Sequence, residues 1–140
     1  MKVKQISVFL ENKPGTLNKM TTVLADAGID MRALSLAETK DFGIARVIVD
    51  DVFAAKDVLK GADFVASLTP VLGYEIPDEP GGLNKLLSIF TEANVNIEYM
   101  YSCIVGNGAY MIFRVADTEA AEIALAGKGL KQLAQDSLSR

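Results

Sequence analysis

From Val3 to Leu10, Ile6, Val8 and Leu10 alternate with Gln5, Ser7 and Phe9, the period of a strand with one buried face. Pro14-Gly15 ends that strand and starts a helix, because Leu17, Met20, Val23, Leu24 and Ala27 then recur at helical spacing with Asn18, Thr21, Thr22 and Asp26 opposite. Gly28 supplies the stop. A second strand is predicted over 31–38, a hairpin turn at Asp41-Phe42-Gly43 and a third strand over 44–49. Asp51 is placed to cap a second helix, which buries Phe53, Ala54, Val58 and Leu59 and ends at Gly61 before a fourth strand over 64–68. The order βαββαβ is the ferredoxin-like arrangement, an α+β unit with an antiparallel sheet and both helices on one face.

The pattern then repeats. Pro14-Gly15-Thr16-Leu17-Asn18-Lys19-Met20 returns 66 residues later as Pro80-Gly81-Gly82-Leu83-Asn84-Lys85-Leu86, and the same offset carries Ala27 to Ala93, Asp51 to Asp117 and Gly61 to Gly127 without a gap. Gly28 falls on Asn94, the other residue type that tolerates the left-handed turn closing a helix. A period this long implies two copies of a small domain, 1–70 and 71–140, rather than a solenoid. Strands are expected over 71–76, 97–104 and 109–115, with helices over 81–93 and 118–125. The last strand, near Leu130 to Leu133, has no β-branched residue and is the weakest element, and the tail from Gln135 to Arg140 is expected to fray. On the sheet face away from the helices, Ala33, Ile44, Ile48, Tyr99, Tyr101, Tyr110 and Ile112 outweigh Arg46 and Arg114, so that face is expected to be covered by the other copy or another chain.

The 140 residues are half apolar and 23% charged, as in an ordered globular protein. A single unit of this size buries only about 60% of its unfolded surface, which favours packing of the copies on one another. The net charge of −4 argues against sequence-independent nucleic-acid binding. Tyr99, Tyr101 and Tyr110 could stack bases, but no basic patch accompanies them. One cysteine, Cys103, gives no internal disulfide, and no apolar run has signal-peptide or membrane-spanning length, so a cytoplasmic protein without a membrane partner is expected. The absence of histidine removes the commonest transition-metal ligand and neutral-pH base, and no metal or cofactor is expected.

Chemistry concentrates in the turn between first strand and first helix, Glu11-Asn12-Lys13-Pro14-Gly15 and its partner Pro77-Asp78-Glu79-Pro80-Gly81. Glycine at a helix start exposes backbone N–H donors where the helix end favours an anion, and Asn12 or Asp78 offers oxygen to an ammonium group. Together these suit an α-amino acid. The plainer alternative is that Pro-Gly merely starts the helix while Asn12 and Asp78 cap the turn. Asp41-Phe42-Gly43 matches a kinase triplet and Gly106-Asn107-Gly108 a glycine loop, but both read as hairpin turns because no companion motif is present.

The paired Asx-x-Pro-Gly-x-Leu turns and the steps Gly28-Ile29-Asp30 and Asn94-Val95-Asn96 resemble the ACT domain family, in particular small stand-alone tandem-ACT proteins, over nearly the whole chain. The resemblance implies two ferredoxin-like units whose antiparallel sheets pair side by side with helices on one face. It further implies a non-catalytic regulator binding an amino acid at the seam, working as a homodimer or on a metabolic enzyme in trans. Carried over by position, Asn12, Gly15 and Leu17 would face Asn96, and Asp78, Gly81 and Leu83 would face Asp30. The pocket of two amides is then expected to bind more tightly than the one of two carboxylates, which repel each other and a ligand carboxylate. An interaction module docking on a metabolic enzyme through its sheet faces, without ligand, is the alternative; an enzyme is disfavoured for want of a nucleophile and base.

Overall fold

A computed structural model describes residues 2–139. Met1 and Arg140, the outer limits of the two expected domains and the end of the expected frayed tail, lie outside the described residues. The elements run β1 (Val3–Glu11), α1 (Thr16–Asp26), β2 (Met31–Glu38), β3 (Phe42–Val49), α2 (Val52–Gly61), β4 (Val65–Glu75), α3 (Gly82–Glu92), β5 (Tyr99–Val105), β6 (Gly108–Arg114) and α4 (Thr118–Leu125), with a 3-10 turn at Gln135–Leu138. Contacts divide the chain into an N-terminal unit of residues 4–69 with 138–139 and a C-terminal unit of residues 70–137 with 2–3.

In the N-terminal unit the strand order is β2-β3-β1-β4, and β1 and β2 both run antiparallel to β3. Ile6, Val8 and Leu10 of β1, Ala45, Val47 and Val49 of β3, and Met20, Leu24, Ala55 and Leu59 of the helices form one buried core. Every second strand residue points to the helices, as the alternation predicts. In the C-terminal unit the order is β4-β6-β5, and Gln132 bridges Tyr74 on the outer side of β4. That bridge is all that forms of the doubtful last strand, held by Leu133 N–H donating to the Gly73 carbonyl at 2.7 Å and Glu75 N–H to that of Lys131 at 2.9 Å. Both units are therefore ferredoxin-like, as expected.

The backbone carries the duplication as well. Gly15 and Gly81 have φ of 88° and 83°, Gly28 and Asn94 of 70° and 58°, and Asp63 and Gly129 of 67° and 78°, each pair 66 residues apart. The last pair is invisible to motif matching because the residue types differ. Asp51 and Asp117 cap α2 and α4, each carboxylate accepting from a backbone N–H three residues on, Ala54 at 3.1 Å and Ala120 at 3.0 Å. Replacing either aspartate by alanine is expected to cost about 1 kcal/mol in urea unfolding. Unchanged midpoints in both variants would show the caps to be incidental.

Several boundaries differ from the hydropathy reading. The strands predicted over 64–68 and 71–76 are one, β4, which continues through Pro70. Proline's fixed φ is compatible with an extended chain and costs only a donor, while its carbonyl accepts from the Arg114 guanidinium at 2.8 Å. The hairpin turn falls at 39–41, where Thr39 N–H donates to the Phe42 carbonyl at 2.7 Å, so Phe42 and Gly43 already belong to β3. The tail expected to fray is ordered from Gln135 to Leu138: Leu138 is fully buried, and its carbonyl accepts from Arg32 Nε at 3.2 Å. Ile48, Val71, Cys103 and Ile112, all facing away from the helices, are buried too. For Ile112 the cover includes the unit's own Leu133, since both lie over Gly73.

Candidate functional site

Each unit has one helix that begins with a side-chain cap and one that does not. α2 and α4 start at aspartates, whereas α1 and α3 start at the left-handed Gly15 and Gly81, with no side-chain cap and no acidic residue in the first turn. The positive ends of α1 and α3 are thus left without a carboxylate of their own. Lys13 and Lys19 flank the first turn and Lys85 and Lys131 the second. Lys13 pairs with Glu11 at 3.1 Å and Lys85 with Glu79 at 3.2 Å, both exposed pairs of small energetic weight.

A cleft of about 540 Å³ opens beside the first turn, between Glu11, Lys13, Pro14, Gly15, Thr16 and Lys19 on one side and Ala62 to Val65 on the other. Its counterpart beside the second turn, about 420 Å³, is lined by Glu75, Pro77, Gly82, Lys85, Leu86, Ile89 and Gly129 to Lys131. Of these lining residues, Thr16 and Lys19 enter the sequence reading only as part of the repeated motif, and Asp63 does not enter it. The signal that could have found Asp63 is its registry with Gly129.

The two turns are built differently. The Asn12 amide nitrogen donates to Glu38 Oε2 at 3.3 Å and to the Thr39 and Lys40 carbonyls at 3.2 and 3.3 Å, and Asn12 N–H donates to the Asp41 carbonyl at 3.0 Å. These bonds tie the turn to the β2–β3 hairpin and leave the Asn12 Oδ1 acceptor outside that network. Asp78 is exposed, and no such tie is found for it among the described residues. Where the first helix starts with Thr16, the second starts with Gly82, whose missing Cβ would lie 2.2 Å from the Pro77 carbonyl oxygen.

Asn12, Gly15 and Leu17 therefore share one end of the N-terminal unit, and Asp78, Gly81 and Leu83 one end of the C-terminal unit. Leu17 and Leu83 are half-buried and pack on their cores beneath the turns. Asp30 lies at the opposite end of its own unit, since Glu11 pairs with Phe42 while Met31 pairs with Val49. Its carboxylate meets Arg32 Nε at 3.3 Å and its N–H donates to Asp50 Oδ1 at 3.0 Å. Asn96 is likewise distant from Gly81 within its unit, exposed on a groove of about 360 Å³ formed with Ala93 to Val95, Val115 to Asp117 and the alanines of α4.

Two αβ units with matched, uncapped first helices agree with a match of residues 1–140 to the ACT domain pair family. The chain belongs to that family. ACT domains are regulatory, non-catalytic modules, and amino acids are their typical ligands. The chain is 40% identical to a Bacteroides thetaiotaomicron protein of known crystal structure, covering 100% of this chain and 97% of that one at a TM-score of 0.92. It shares its fold with the regulatory subunit of aspartate kinase from Thermus thermophilus in the ligand-free form, at 20% identity, 87% coverage of each chain and a TM-score of 0.60. The corresponding subunit from Thermus flavus gives 18% identity, again 87% of each chain, and a TM-score of 0.59. No curated protein matches the chain. Among the described residues no group of histidine, cysteine, aspartate and glutamate could hold a metal ion, and no helix is long and apolar enough to cross a membrane.

Proposed function

We propose that this ACT domain pair is a non-catalytic, homodimeric regulator that binds an α-amino acid at the β1–α1 turn. What carries the reading is the contrast between the two helix starts of each unit: duplication has kept one aspartate-capped and the other uncapped, glycine-led and flanked by lysines. A carboxylate fits the N–H donors of α1, and Asn12 Oδ1, held by its amide's bonds to the β2–β3 hairpin, fits the ammonium. The ties on Asn12 also serve the plainer structural role, so the test must read binding rather than stability alone.

A thermal-shift screen against the common amino acids is the first measurement. A ligand at a hundred times its Kd stabilises the fold by about 2.7 kcal/mol. Calorimetry on Asn12→Ala and Asp78→Ala then compares the turns. Asn12→Ala is expected to weaken binding at least about tenfold, the loss of one charge-assisted hydrogen bond, while Asp78→Ala has the smaller effect. Equal losses would end the asymmetry. The same titration on Asn96→Ala tests its assignment, by resemblance, to the ligand of Asn12.

A second reading, docking on a metabolic enzyme in trans, has its own observation. Phe9 and Phe42 are more than half exposed, and with Ala37 and Ile44 they line an apolar cleft of about 560 Å³ on the N-terminal unit. If no amino acid shifts the melting point, this reading leads.

A further inference from the structure

Asp50 of the N-terminal unit is a carboxylate held by two backbone donors. Its Oδ1 accepts from the N–H of Asp30 at 3.0 Å and from the N–H of Asp51 at 2.9 Å, so one oxygen joins the loop after α1 to the start of α2. The offset of 66 residues carries Asp30 to Asn96, Asp51 to Asp117 and Asp50 to Ala116. The two donor positions recur without the acceptor. Neither the Asn96 N–H nor the Asp117 N–H has a hydrogen-bond partner among the described residues. The groove of about 360 Å³ in the C-terminal unit opens at this point, lined by Asn96, Ala116 and Asp117 together with Val95, Val115 and the alanines of α4. One of those alanines, Ala124, stands where the N-terminal unit has the bulkier Val58.

From this we propose that the groove binds a short aliphatic carboxylate, with one ligand oxygen taking the place that Asp50 Oδ1 holds in the other unit. The site shares no lining residue with the cleft at the β1–α1 counterpart of the same unit, so it is additional to the amino-acid site. A carboxylate oxygen on two N–H groups makes two charge-assisted hydrogen bonds, and the positive end of α4 adds to them. The valines and alanines of the wall suit a hydrocarbon tail. Asp117 is the one acidic neighbour in the lining, and its Oδ1 is engaged by the Ala120 N–H at 3.0 Å. A ligand carboxylate beside it repeats the adjacency of Asp50 and Asp51, which the N-terminal unit accommodates. The other nearby acids are paired, Glu98 with Arg114 at 3.6 Å and Glu119 with Lys2 at 2.9 Å.

The test is an NMR titration of the full chain with sodium propionate, against sodium chloride at equal concentration, read at the backbone amides. Saturable shifts centred on Asn96 and Asp117 are expected with propionate alone. Ala116→Asp, at an exposed position, supplies the oxygen from the chain itself and is expected to abolish the response while the rest of the spectrum stays as in the parent. No saturable shift at these two amides, or one that persists unchanged in Ala116→Asp, overturns the site. A response to alanine and none to propionate also overturns it, and returns Asn96 to the amino-acid reading. If no amino acid moves the melting point while propionate still shifts the two amides, the reading of the β1–α1 turn falls and this one stands.

Discussion

Phe90→Ala is expected to cost about 3–5 kcal/mol and to fall on the C-terminal unit. Phe90 is 1% exposed, its ring 4.5 Å from that of Phe113 and set edge-on to Tyr74 at 5.8 Å. Burial pushes the Tyr74 phenol up to about 12, with the negative charge of Glu122 adding to the effect, so this third ring is neutral at ordinary pH. Truncating the central ring removes its transfer energy and leaves a cavity between two rigid neighbours that cannot close it. Against a total stability of roughly 4–10 kcal/mol for a domain of this size, the loss leaves the unit barely folded. Hydrogen exchange should show protection lost first in α3, β6 and α4 while β1 and β3 keep theirs. A loss below about 1 kcal/mol, or one spread evenly over both units, would show that the aromatic trio is not the centre of the core.

The trio also marks what the duplication hides. At the positions of Tyr74, Phe90 and Phe113 the N-terminal unit has Val8, Leu24 and Val47, all buried. Alternation and helical spacing placed Val8 and Leu24 inside. The spacing also turned Phe53 inward, and it is 59% exposed while Val52 and Ala55 are buried in its place, because periodicity reports a face only to within a residue and not which neighbours meet there. That is why β2 and α4 were legible to the residue, while Pro70 misled: a breaker in most settings, it costs a strand little when its N–H is not needed. The ordered tail was illegible for a related reason, since Leu138 gains its burial from residues such as Arg32, over a hundred positions away. For the candidate site, the doubled Pro-Gly signalled the two helix starts, while their lack of side-chain caps emerged only in the structure. The ties that distinguish Asn12 from Asp78 come from the β2–β3 hairpin, and no pattern local to the turn contains them.

Gly82→Ala is expected to cost about 3 kcal/mol, although alanine is the better helix former. The cause is steric and not conformational freedom, since Gly82 lies within α3 and its positive-φ neighbour is Gly81. A Cβ on Gly82 would stand 2.2 Å from the Pro77 carbonyl oxygen and 3.2 Å from its carbon. Relief cannot come from a rotamer. It requires moving a backbone carbonyl that also accepts from Glu79 N–H at 2.9 Å, in a turn bounded by Pro77 and Pro80. The matched substitution in the other unit, Thr16→Ala, should change stability by less than about 1 kcal/mol, because the Thr16 hydroxyl is buried without a hydrogen-bond partner and its loss breaks nothing. The pair is read by urea unfolding. If Gly82→Ala were as stable as the parent protein, the Pro77 carbonyl would be free to yield to a Cβ. The expected contrast instead means that the C-terminal turn has no room for the Cβ that Thr16 carries at the N-terminal turn, although the same two backbone bonds close both.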